Sequence, residues 1–428
     1  MSTNTISPVV APGRIARGLT VNPLSAATVE WYRARGELWL REHATVTWER
    51  PAADVQVFGL GTAVRVIGQR GDGIAALREQ VAPLLENLAA AAAELPFAPR
   101  VFAVAAFDPG APRLDPAWEP LGSYQVIIPA ITLLRCGESW SGIACAGDFP
   151  AAVPGADLGL GPCTDAAHLE QAIMAAVGEI REGRYQKAVL AGCRLVPTGG
   201  LRPSFILARL GAAFPTCCIF SIRAGGLAWL GATPEPLALV HQGKLDLFSL
   251  AGSRRRGATP DEDERLANEL LASPKERWEH QLVLDAIRGD LAGLATDLQY
   301  PETPRVMKLA NIQHLSTPIS ARLVPGRTIL DVVERLHPTP AVGGWPRAEA
   351  LDAIRRLEAM DRGWYAGPIG WVDANGDGEF YVALRSALVG GNVARLYAGA
   401  GIVADSDPAA ELDEIETKLD ALRGVMTR

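Results

Sequence analysis

Residues 366–398 read AGPIGWVDANGDGEFYVALRSALVGGNVARLYA. Three apolar runs, Ala366–Val372, Glu379–Val389 and Val393–Ala398, carry the β-branched and aromatic residues that suit a pleated surface. Asn375-Gly376, between the first two, has the chemistry of a tight hairpin. The spacing predicts an antiparallel meander, because turns this short join antiparallel strands whereas parallel ones need long crossovers. The same turn opens like a calcium-binding loop, with Asp373, Asn375 and Asp377 in alternation, but Leu384 stands at the twelfth position, where a bidentate glutamate is required. It is therefore read as a hairpin.

Downstream, Pro408–Arg423 closes the chain as a helix, with Asp407 as N-cap and Pro408 at the first helical position. Upstream, Phe58–Ile67, Val101–Phe107, Tyr124–Leu134, Tyr185–Val196, Cys217–Ile222, Leu227–Leu230, Leu237–Val240 and Leu245–Leu250 read as strands, Tyr124–Leu134 being a single strand or a pair around Pro129. Helices are expected over Gly73–Leu95, His168–Glu182, Asp261–Leu294 with a break at Pro274, and Arg347–Arg356. Antiparallel runs separated by helices specify an α+β fold rather than a parallel Rossmann-type sheet. Residues 1–25, small, polar and proline-containing, read as a mobile arm, and 146–164, rich in Gly, Pro and Asp, as a connection.

The 428 residues are 48% hydrophobic and 21% charged, which is globular composition and enough for a large core. A formal charge of −7 excludes the electrostatic footprint of a protein that coats nucleic acid or anionic membrane. Arg254-Arg255-Arg256 does not alter this, because Asp261–Glu264 follow closely. The six cysteines form no C-x-x-C pair, so reduced, buried thiols are expected rather than disulfides. Residues 1–24 contain no secretory apolar core, and no uncharged apolar run is long enough to span a bilayer. The expectation is a cytoplasmic protein with neither nucleic-acid nor membrane partners.

Chemistry is concentrated in a few places. On the last helix Glu411, Glu414 and Lys418 lie within about 60° of one another, beside the stripe of Leu412, Ile415, Leu419 and Leu422. Taken alone, that is a salt-bridged helix edge. Glu276 and Glu279 are more telling, since both lie along the apolar face of Val283 and Ile287. Inward carboxylates are costly unless paired, protonated or bound to a cation. Two helices each carrying Glu at i and i+3 could furnish a hard-oxygen site suited to Mg²⁺. Lys187 lies in an otherwise apolar strand. Desolvation drives an inward ammonium toward its neutral, basic form, whereas strand alternation equally permits a solvent-facing lysine. Glu235, flanked by Pro234 and Pro236, sits in a turn between strands, where a carboxyl is usually exposed.

Ten blocks taken in order resemble the chorismate-utilising enzymes: KAVLAG at 187, GATPEPL at 231, LAGSRRRG at 250, KERWEHQLV at 275, IQHLSTP at 312, HPTPAVGGWP at 337, YAGPIGW at 365, VALRSAL at 382, YAGAGIV at 397 and ELDEIETKL at 411. FDP at 107–109 and the strand before it resemble the N-terminal half of that family. The resemblance implies a large two-sheet α/β/β/α fold like that of anthranilate synthase component I. It leaves residues 1–50 as an unassigned arm and makes 51–425 one chorismate-binding domain, with a sheet portion (51–160) and a catalytic portion (161–425). HPTPAVGG resembles the isochorismate synthases, which are isomerases. Lys187 matches the water-using members, among which salicylate synthases also count. An ammonia-using synthase lacks that lysine.

By this resemblance Lys187 is the base that activates water and Glu235 the acid that protonates the departing hydroxyl. Glu279 and Glu414 ligate Mg²⁺, directly or through one water, and Glu276 and Glu411 hold its water shell. Arg385 and Tyr365 hold the enolpyruvyl carboxylate, which the backbone of Gly399, Ala400 and Gly401 approaches closely. Gly252 and Ser253 shape the ring-carboxylate side, and His314 and Lys418 line the ring and the metal region. Ala341 and Val342 are the positions that bear on pyruvate-lyase activity. A monomer without an obligatory glutaminase subunit is implied. The resemblance does not say whether isochorismate would feed menaquinone, a siderophore, salicylate or an antibiotic.

Overall fold

The structure is a computed structural model that describes residues 19–90, 94–111, 115–146, 163, 165–308 and 312–427. Two antiparallel sheets dominate it. The first runs, in spatial order, Thr20–Pro23, Ser139–Ala146, Ile131–Cys136, Val55–Leu60, Ala44–Arg50, Cys218–Ala224, Leu227–Thr233, Ser386–Gly390, Val393–Ile402, Lys187–Pro197, Gly344–Trp345. The second runs Ala295–Gln299, Ile312–Leu323, Lys244–Arg255, Pro236–His241, Gly378–Val382, Pro368–Asp373, Arg100–Ala105, Tyr124–Ile128, Val64–Ile67, with Arg305–Lys308 also pairing to Ile312–Leu323. The sheets meet at Trp48 of the first and Tyr381 of the second, whose ring centroids lie 5.6 Å apart, and buried Trp229 and Tyr397 of the first pack ring against ring with Trp118, Trp364 and Tyr365 of the connecting segments. Each such side chain contributes about 1.5–3 kcal/mol of burial. Arg50 of the first sheet also reaches Glu379 of the second at 2.8 Å.

Helices cover the outer faces, giving α/β/β/α layering. Ala166–Arg181 and Pro408–Met426 meet the strand Lys187–Pro197 at Gly192, where an added Cβ would lie 2.7 Å from Leu169 and 3.7 Å from Ile415. Pro274–Asp290 packs on the strand Lys244–Arg255. Asp407 caps the last helix by accepting from the Ala410 N–H, as its sequence predicts. The expected break at Pro274 is also present: Pro260–Ala272 ends and Pro274–Asp290 begins there, with Ser273 as the new N-cap.

Several expectations are corrected. Residues 20–50 are not an arm. Ala44–Arg50 lies inside the first sheet, paired with Val55–Leu60 and Cys218–Ala224, and two short helices precede it. The alternation in ATVTWER buries Val46 and Trp48, which a peripheral arm would not do. Residues 1–18, and nearly all of the 146–164 connection, lie outside the described residues. The apolar runs Phe58–Ile67 and Tyr124–Leu134 each divide between the two sheets. So does Glu379–Val389: Gly378–Val382 belongs to the second sheet and Ser386–Gly390 to the first. The predicted meander is thus a hairpin, then a change of layer, then a second hairpin. The Asn375-Gly376 turn is closed by the Asp373 carboxylate, which accepts from the N–H groups of Asn375 and Asp377. Cys163 and Cys193 are joined in a disulfide, contrary to the expectation of free thiols, because the chain entering the Ala166–Arg181 helix returns beside the strand carrying Cys193. Among the described residues no helix is long and apolar enough to span a membrane.

Candidate active site

The site lies where the chain repeatedly passes from one sheet to the other. Leu227–Thr233 becomes Pro236–His241 through Pro234-Glu235, and Gly378–Val382 becomes Ser386–Gly390 through Ala383-Leu384-Arg385. The two crossings are bonded side by side: Val382 N–H donates to Glu235 O at 3.0 Å, and Ala232 N–H donates to Arg385 O at 3.1 Å. Arg385 (φ 45°) and Ala366 (φ 60°) are held in the left-handed region, which is uncommon for residues with a Cβ. Backbone outliers of this kind cluster at functional sites.

Lys187 opens its strand and points to the same face as Gly401 on the neighbouring one. A Cβ on Gly401 would lie 3.1 Å from Lys187 Cε. The ammonium pairs with Glu279 Oε1 at 3.5 Å, across to the helix Pro274–Asp290. Burial pushes the Glu235 carboxyl up to about 7, against the opposing pull of the Lys187 and Lys418 charges. Half-buried His314 is held down at about 4 by burial and by the same two lysines, although Glu414 and a hydrogen bond at the Gly252 backbone favour its charged form. Lys187, Glu235, His314 and Lys418 therefore share one electrostatic space. Tyr365 joins it: its hydroxyl is raised by burial and senses the Glu235 charge, and its ring stacks on Tyr397 at 5.3 Å.

The last helix supplies the other wall. Lys418 donates to Gly399 O at 2.8 Å and to Glu414 at 2.7 Å. Gly399 leaves room for Tyr365, whose hydroxyl would be 3.3 Å from an added Cβ. Burial pushes the Glu411 carboxyl up; a hydrogen bond from Ser406 counters this, and the charge of Glu414 reinforces it. Gly252 (φ +74°) forms a bulge opposite His314, and a Cβ there would lie 3.0 Å from Glu276 Oε2. Its missing side chain is what lets the Glu276 helix lie on the strand. The backbone of Ser253 pairs with His314; its side chain lies outside the described residues.

One predicted residue stands apart. The Arg385 guanidinium lies over Phe214, 5.1 Å from the ring centroid, and donates to Cys217 Sγ at 3.5 Å; it shares no hydrogen bond with Tyr365. Ala341 lies in a tight turn in which Val342 and Gly343 donate back to Thr339 O. Among the described residues no three His, Cys, Asp or Glu side chains already converge as a metal cluster. The four glutamates nonetheless come from two helices, Glu276 and Glu411 in the first turns and Glu279 and Glu414 one turn on, and Glu411 and Glu414 are like charges at close range. A hard divalent cation relieves such repulsion, so the donor set fits Mg²⁺.

Residues 161–427 match the family model described as chorismate binding enzyme. The chain belongs to that family. This chorismate-binding enzyme is 37% identical over 413 residues to a salicylate biosynthesis isochorismate synthase of Pseudomonas aeruginosa, covering 90% of this chain and 86% of that one. It is 41% identical over 250 residues to an isochorismate synthase of Bacillus subtilis, which spans 58% of this chain and 53% of the relative. The menaquinone-specific isochorismate synthase of Escherichia coli superposes with a TM-score of 0.76 at 26% identity, over 96% of this chain and 94% of that one.

In this chorismate-binding enzyme Lys187 and Glu279 also line a cavity of 150 Å³ with Lys275, Trp278, Val283, Trp345 and Asp405. Lys275 and Asp405 close its rim with an ion pair at 2.8 Å, tying the Glu276 helix to the segment before the Glu411 helix. Sequence reading missed this rim. Lys275 belongs to a recognised block, but Asp405 is distant in sequence and nothing in either segment signals the pairing.

Proposed function

We propose that this chain is an isochorismate synthase, isomerising chorismate to isochorismate by water addition at C2 and loss of the C4 hydroxyl. The observation that carries the reading is that burial holds Glu235 near 7 within reach of the Lys187 and Lys418 charges. Hydroxide is a poor leaving group, and a carboxyl that keeps its proton to neutral pH can supply the missing acid. Lys187, once it has given up its own ammonium proton, takes the proton of the attacking water. Tyr365, Gly399 and Gly401 receive the enolpyruvyl carboxylate, and Arg385 swings from Phe214 to grip it as a fork. Gly252 and Ser253 receive the ring carboxylate. His314, neutral at pH 7, and Lys418 line the ring, and Ala341 borders it.

Glu279 and Glu414 would hold Mg²⁺, with Glu276 and Glu411 holding its waters. When bound, the ion supplies Lewis-acid polarisation of the ring carboxylate. We read the protein as a cytoplasmic monomer without a glutaminase partner. Chromatographic identification of the product from chorismate, with and without Mg²⁺, tests the assignment. Isochorismate formed only with Mg²⁺ supports it. Salicylate as the enzymatic product would make the chain a salicylate synthase, and an amino product formed with ammonium would make it an ammonia-using enzyme.

A further inference from the structure

The strand Lys187–Pro197 lies one place in from the edge of the first sheet, but its outer neighbour, Gly344–Trp345, covers only Lys187 and Ala188. Beyond that point the outward N–H and C=O groups are buried and need other partners. Val189 N–H donates to Gly343 O at 3.1 Å. Val189 O accepts from Arg362 Nη2 at 2.6 Å, and Ala191 N–H donates to Glu358 Oε1 at 2.8 Å. Arg362 forks onto Glu358, with Nε to Oε2 at 2.9 Å and Nη2 to Oε1, and its Nη1 donates to Val342 O at 3.1 Å. Its flat face lies over Phe107, 4.2 Å from the ring centroid. The two side chains are 5% and 3% exposed. An ion pair therefore stands in for the missing edge strand.

The pair's side chains grip two parts of the site at once, the Lys187 strand through Val189 and Ala191 and the Thr339–Gly343 turn through Val342, and the Arg362 backbone adds a third link, its O accepting from Tyr365 N–H at 2.9 Å. Neither residue shares a hydrogen bond with Lys187 or Glu235. Stability alone does not require such a pair, since matched apolar replacements of buried ion pairs are often neutral or stabilising. We propose that Glu358 and Arg362 are positioning residues that fix the Thr339–Gly343 turn against the Lys187 strand, and so set where the Lys187 amine stands relative to the substrate ring. The proposal rests on the isochorismate synthase reading.

The test is steady-state kinetics with chorismate and Mg²⁺ on the wild-type protein, the double variant Glu358→Leu/Arg362→Met, and Arg362→Lys, each checked by circular dichroism and Tm. The expected result is a folded double variant with kcat lowered about 10²-fold and KM changed less than about threefold, because misplacing a reacting group by about 1 Å costs that much in rate. Arg362→Lys keeps the charge but loses the fork, and should lose kcat in the same sense; it gives the same readout if the double variant does not fold. Folded variants with wild-type kcat overturn the proposal. A wild-type protein that makes no isochorismate overturns the parent reading instead, so the two failures are distinct.

Discussion

Glu235 is the residue whose environment makes the sharpest claim. Its carboxyl titrates near 7 when folded, against 4.5 for an unperturbed group, so it resists ionisation in the folded state. As a general acid it must carry its proton, so turnover should fall as pH rises through about 7, and kcat measured against pH checks this. Glu235→Gln should lower kcat by at least about 10² and abolish that limb. The stability consequence has its own sign. A carboxyl raised on folding favours the folded state fully below its unfolded value and loses that contribution as pH rises through its folded one. The Tm advantage of Glu235→Gln over wild type should therefore grow between pH 5 and 8. Lys187→Ala should likewise cost at least about 10² in turnover while the circular dichroism spectrum stays native. In the sequence, Glu235 was legible only through its family block. Its proline-flanked turn, read alone, points to an exposed carboxyl, because one strand's pattern does not show that the turn crosses between sheets.

At the scale of elements, the two glutamate-bearing helices were the most legible part of the site. The face shared by Glu276 and Glu279 follows from helical periodicity, and so does that of Glu411, Glu414 and Lys418. Whether two such helices serve one site does not follow from periodicity, since it depends on which strands they cover. Glu279→Gln should weaken the apparent Mg²⁺ affinity, read from a magnesium titration of activity, and an unchanged titration would remove Glu279 from the metal set. Gly252→Ala should destabilise by more than about 1 kcal/mol, because its φ of +74° and the close approach of Glu276 both exclude a Cβ; thermal or denaturant melting checks this. The layer changes were the least legible elements. Ala383-Leu384-Arg385 contains neither glycine nor proline, so an unbroken apolar run hides the point where the chain leaves one sheet for the other. Glu358 and Arg362 have the spacing of a helical surface pair, but they lie just past the helix Arg347–Leu357 and are buried, which only the tertiary structure reveals.

Across the whole molecule, composition and alternation supported the α+β class, and the ordered blocks implied the layered architecture. Residues 20–50 escaped because the family blocks begin later, although the alternation of ATVTWER was available to be read. The sheets are interleaved along the chain: Ala44–Arg50 pairs with Cys218–Ala224, and Arg100–Ala105 with Pro368–Asp373. Contacts so far apart in sequence are slow to close. During synthesis the second sheet cannot be completed until Val382 has emerged, nor the first until Ile402, and the Glu411 helix, one wall of the site, follows both. A ribosome that stalls before residue 390 would release a chain with most of its strands made and no catalytic pocket. The early strands would meanwhile expose their unpaired edges to chaperones or to one another.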